Sequence, residues 1–99
     1  MVYVIFEVKK EELGKINEML KDDTVNRQSI LTRDASSIGI DKDVSYLKIE
    51  GSEEGLKRAE ELAKEYEFTK LSDADAEDVN EKIKEQEDQA ADGMGMIFG

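Results

Sequence analysis

Four acids crowd into the stretch DADAED: Asp73, Asp75, Glu77 and Asp78. Hard divalent cations take oxygen ligands, so these four are the chain's candidate metal ligands, for calcium or magnesium. On a helix Asp73 and Glu77 share a face, as do Asp78, Glu81 and Glu85. The same acids suit the positive end of a helix, so a solvated helix start accounts for them without a metal. A second group, Asp41, Asp43 and Ser45, opens like a calcium loop and then departs from it. Tyr46 stands where that loop needs glycine, and Ser52 where it needs glutamate. It reads as a polar turn before a strand.

Other chemistry is narrowly bounded. The 99 residues contain no cysteine and no histidine. That removes disulfides, thiolate nucleophiles, Ser-His and Cys-His triads, and the commonest general base and metal ligand. No catalytic motif or cofactor signature remains, and the expectation is a non-enzymatic protein with no cofactor. The tail GMGMIFG lacks the third glycine of a dinucleotide loop and the helix that must follow one.

Charge narrows the partners. Twenty-five acids stand against 14 bases, a net of −11. Such a chain repels phosphate backbones and anionic membrane surfaces, so neither nucleic acid nor membrane is an expected ligand. A protein with a basic surface is the partner that this charge favours. High Glu and Lys content without Cys or His suits a thermophile or an archaeal cytoplasm. The apolar run VYVIF is too short for a signal peptide and is followed by Glu7, so the expected location is cytoplasmic.

The elements that must carry these residues follow from periodicity. VYVIFEV (2–8) is a strand with Val4, Phe6 and Val8 on one face. Leu13, Ile16, Met19 and Leu20 fall at helical spacing. Residues 24–33 read as a second strand and 44–50 as a third, with Leu47 and Ile49 alternating. Turn residues fill ASSIGIDKD between them, although Ile38 and Ile40 are placed to extend a hairpin. Ser52 caps a helix whose stripe is Leu56, Ala59, Leu62, Ala63 and Tyr66. Residues 68–71 make a short strand, and Ser72 caps a last helix to about residue 90 with the thin stripe Ala76, Val79 and Ile83. The order β-α-β-β-α-β predicts a ferredoxin-like α+β fold, an antiparallel sheet with two helices on one face. The predicted organisation is a domain over 1–71, an acidic arm over 72–92 and an apolar tail over 93–99. The arm holds nine acids against Lys82 and Lys84.

Two further groups can bind partners. If Val4, Phe6 and Val8 face the helices, Tyr3 and Tyr46 lie on the opposite sheet face, with Arg27 and Arg33 beside them on the second strand. Tyrosines at such positions stack bases in RNA-recognition domains, but the RNP patterns are absent and the charge is wrong. That face reads instead as plain packing or a self-association surface that makes a homodimer, as in a small-ligand-binding or regulatory domain that dimerises through its sheet. The second group is the tail, where Met94, Met96, Ile97 and Phe98 stand among Gly93, Gly95 and Gly99. Gly93 is placed to end the preceding helix, and the glycines make ordering the tip costly. Each large apolar side chain gains roughly 1.5–3 kcal/mol on burial, so the tip either folds back or serves a partner's groove.

GMGMIFG, preceded by the acidic KEQEDQAAD, resembles the C-terminus of the acidic stalk proteins of archaeal and eukaryotic ribosomes. In that family an acidic hinge precedes a glycine-spaced apolar tip that docks into hydrophobic grooves of translational GTPases. The resemblance places Met94, Met96, Ile97 and Phe98 at the apolar positions and Gly93, Gly95 and Gly99 at the spacers. It covers about seven residues firmly, and the family's helical dimerisation domain is replaced by the βαββαβ body.

Overall fold

Alternation in the first strand divides the interior into two layers. In the computed structural model, which describes the backbone of residues 2–98 and the side chains of residues 2–86, β1 (Val2–Lys9) sends Val4, Phe6 and Val8 into one core and Ile5 into another. The remaining strands are β2 (Ser29–Asp34), β3 (Val44–Gly51) and β4 (Thr69–Lys70). The sheet order is β2-β3-β1-β4, and every neighbouring pair is antiparallel. This is the ferredoxin-like arrangement expected from the element order. Helices α1 (Leu13–Met19) and α3 (Glu53–Glu65) cover one face through Ile16, Met19, Leu56, Ala59, Leu62 and Ala63.

The second strand begins later than its sequence predicts. Residues 24–26 belong to a one-turn helix, α2 (Asp23–Asn26), because Asp22 caps it. The Asp22 carboxylate accepts from the main-chain N–H groups of Thr24 (3.0 Å) and Val25 (3.1 Å) and from Arg58 Nε at 2.9 Å. Val25 is then buried against the first core instead of alternating along a strand. The Arg58 guanidinium, aided by the Val25 N–H, holds the Asp22 carboxyl below its ordinary value of 3.8. A carboxyl with a lowered folded pKa contributes stability above its unfolded value and loses it as pH falls through the folded one. Asp22→Asn is therefore expected to melt below the native chain near neutral pH. That gap should close as pH drops below about 3.8, read by melting curves across the acid limb.

Two glycines in helices meet opposite surroundings. An added Cβ at Gly14 of α1 meets open space, so Gly14→Ala is expected to stabilise by about 0.5–1 kcal/mol. At Gly55 the Cβ runs into the Gln28 side-chain amide. That amide donates to the Thr24 carbonyl at 2.9 Å and accepts from the Ser52 N–H at 3.0 Å, tying α2 to the start of α3. Gly55→Ala should therefore lower the melting temperature despite its better helix propensity, and calorimetry on the two variants should give opposite signs.

The other face of the sheet is covered as well. Ala35–Ile38 forms a 3-10 turn closed by Gly39 in the left-handed region (φ 81°), not a continuation of a hairpin, and it buries Ala35 and Ile38. Helix α4 (Asp73–Phe98) lies beside it and buries Ala76, Val79 and Ile83. Residues 72–86 are thus part of the folded body, and the expected boundary at 71 does not separate an arm from a domain. The bounds of α4 also take in Gly93, where the sequence reading ends the helix. The side chains of Met94, Met96, Ile97 and Phe98 lie outside the described residues. Among the described residues no helix is long and apolar enough to cross a membrane.

Candidate functional site

The face that carries Tyr3 and Tyr46 is assembled by register. Tyr46 on β3 stands opposite Glu7 of β1 and Arg33 of β2, and Lys48 stands opposite Ile5 and Leu31. Tyr3, Arg33 and Tyr46 therefore share a face, as their spacing predicts. Arg27 does not join them, because it lies in the turn after α2 and before β2 begins. The face is also not open. Tyr46 is only 3% exposed, packed with Ile5, Ile38 and the α4 side chains Val79 and Ile83. Of the two expectations for this face, plain packing describes Tyr46: α4 of the same chain lies over it, its apolar stripe matching the apolar centre of the sheet.

Polar bonds fix α4 along this face. Lys48 Nζ donates to Asn80 Oδ1 at 2.6 Å and lies over the Tyr3 ring, 5.2 Å from its centre. Arg33 Nε donates to Gln86 Oε1 at 3.1 Å, and Gln86 Nε2 donates to the Ser37 carbonyl at 2.8 Å. The sequence reading missed Asn80 and Gln86. The signal was there: Asn80 stands four residues after Ala76 and three before Ile83, inside the apolar stripe. A polar side chain on a buried stripe needs a partner, and Lys48 is one.

Between the start of α4 and the sheet lies a cleft of about 240 Å³, with Glu7, Lys42, Tyr46, Asp75 and Asp78 on its walls. Lys42 Nζ is paired to Glu7 at 3.3 Å, and Glu7 raises its pKa. Burial, followed by the Glu7 charge, pushes the Tyr46 hydroxyl up. Tyr46 thus keeps its proton and Lys42 its charge near neutral pH. The cleft offers hydrogen bonds and negative charge, and neither group is poised there as a base or nucleophile. The candidate cation ligands Asp73, Asp75, Glu77 and Asp78 are all exposed. Asp75 and Asp78 reach the cleft, whereas Asp73 and Glu77 line a separate groove beside Val2 and Tyr3. No three acids converge on one point among the described residues.

What α4 presents outward is charge. Asp73, Asp75, Glu77, Asp78, Glu81 and Glu85 are exposed, and among the described residues Asp78 is the one of these six in an ion pair, with Lys82 at 3.6 Å. The helix joins a sheet-covering apolar stripe to a solvated carboxylate face, and that face leads toward the apolar tip. Comparison of the chain with protein-family models, with curated proteins and with solved structures finds no match.

Proposed function

We propose that this is a non-enzymatic protein-interaction module that docks through the C-terminal end of α4. The observation that supports this reading is the pairing of four large apolar residues in the tip with a helix that presents carboxylates outward. Among the described residues the two buried clusters run from Val4 to Ile83, and no buried side-chain polar atom lacks a partner. The four apolar residues Met94, Met96, Ile97 and Phe98 would each gain roughly 1.5–3 kcal/mol by burial in another molecule's groove. Flexible methionines suit an adaptable groove, and the carboxylate face of α4 speeds encounter with a basic surface. The occupied groove would be apolar and read in the manner of a helix in a cleft.

The resemblance of the tip to ribosomal stalk proteins names a translational GTPase as the first partner to try. Purified translational GTPases, archaeal ones first in keeping with the composition, are the baits for chains ending at Asp92 and at Gly99. The full chain is expected to be retained and the shorter one lost. Equal recovery of both would remove the tip from the reading. A cytoplasmic location belongs to this proposal. Dimerisation through the sheet is not favoured, since α4 covers the face it needs.

A further inference from the structure

Beta strand β1 is paired unequally on its two sides. All eight of its residues pair with β3, but only Phe6 and Glu7 pair with β4. One more bond, from the Leu71 N–H to the Ile5 carbonyl (3.0 Å), ends that ladder. Main-chain groups alternate in direction along a strand, so the N–H and C=O of Tyr3 point to the same side as those of Ile5. Continued register would set residue 73 opposite Tyr3. Instead Ser72 caps α4, and the chain leaves the sheet. Among the described residues no strand pairs with β1 at Tyr3 on the β4 side, while β3 pairs with it on the other.

We infer that this free edge, between α3 and α4, is a docking slot for an extended segment of a basic protein, which adds a short strand beside Val2–Val4. The edge floors a groove of about 220 Å³, walled by Glu53 and Leu56 of α3 and by Leu71 and Ala76 on the α4 side. Val2 stands at its mouth, 43% exposed, the one large exposed apolar side chain among the described residues. Strand addition draws affinity from main-chain bonds and specificity from pockets for alternate side chains, and this slot has both.

Charge selects the occupant. Glu53, Asp73 and Glu77 rim the groove and its continuation, exposed and without an ion pair among the described residues, while Glu60 is taken by Lys70. Lysine or arginine flanking an apolar core would satisfy them. The chain's own acidic C-terminal segment, whether from the same or a second copy, would meet like charge there. The opposite sheet edge is guarded: Arg33 donates to the outward Thr32 carbonyl at 2.9 Å, and a charged side chain on an edge strand deters pairing. The slot is independent of the proposed tip. Helix α4 starts at the groove with Asp73 and crosses the sheet to Gln86, which is bonded to Arg33 and Ser37 at the far edge.

The test is an amide NMR titration of the full chain, at physiological salt, with the synthetic peptide Lys-Val-Lys-Val-Lys-Val. Saturable shifts are expected at Tyr3, Ile5 and Leu71. The same peptide N-methylated at alternate residues, which cannot complete the ladder, should bind about tenfold more weakly, as should the charge reversal Glu53→Lys/Glu77→Lys. Tyr3→Pro removes the outward N–H without breaking a bond to β3 and should abolish the shifts at Ile5 and Leu71; the rim reversal keeps the test decisive where that proline disturbs packing. Phe98→Asp should leave the titration unchanged. Equal binding of the N-methylated peptide, shifts confined to Ile30–Thr32, or an equal loss in Phe98→Asp would each overturn the assignment.

Discussion

Replacing Ile83 with aspartate is expected to strip α4 from the sheet while the rest of the fold stands. Ile83 is 2% exposed and lies where α4 meets Ile5, Ile38 and Tyr46. Together with Val79 it accounts for roughly 3–6 kcal/mol of burial at 1.5–3 kcal/mol per side chain. A carboxylate there is buried without a partner, which costs more than a detached helix, so the helix leaves. The Lys48–Asn80 and Arg33–Gln86 bonds are lost with it. Hydrogen exchange should show α4 amides losing protection while those of β1, β3 and α3 keep theirs. The uncovered face, with Tyr46 exposed, should make mass more concentration-dependent than that of the native chain. Uniform loss of protection across the chain would instead show that the two cores are one cooperative unit.

Phe6→Ala is expected to act on the whole molecule. Phe6 is 1% exposed on the central strand, within the layer that holds Met19, Leu47, Ile49, Leu56 and Phe68. Truncating a buried Phe to Ala removes its transfer free energy and leaves a cavity, together about 3–5 kcal/mol. Domains of this size hold about 5–15 kcal/mol in total. At about 4–8 °C per kcal/mol, the midpoint should fall by on the order of 12–40 °C. Chemical denaturation should show a lower midpoint in one transition, with α1, α3 and the sheet lost together. A loss below about 1 kcal/mol would mean the layer repacks around the missing ring. Conservative Phe6→Leu should lie between the two.

Strands β1 and β3 and helix α3 were legible because their partners need no identification: alternation and a Leu56–Tyr66 stripe each demand a buried face, whatever covers it. Ser52 and Ser72 announce helix starts through a side chain that reaches only three residues. The start of β2 was not legible because Thr24 and Val25 have strand-like side chains, and a single carboxylate at Asp22, anchored by Arg58 from 36 residues away, overrides that preference. The carboxylates of DADAED were legible as an exposed helix face. Which of them enter the cleft with Glu7 and Lys42 was not, since those residues come from separate elements.

The amino-acid sequence by itself determined the βαββαβ order, the first core, the acidity of the last helix and the lack of histidine and cysteine chemistry. These are local properties: a periodicity of two or 3.6, a cap and a charge count. Only the tertiary structure decided that Tyr46 is an interior residue and that α4 is a wall of the domain. It also decided that, among the described residues, β1 has no strand beside Tyr3 on its β4 side. Whether a face is open or covered depends on where a distant segment returns. Ala76, Val79 and Ile83 make a stripe that reads the same on a weakly packed arm as on a helix that closes a sheet.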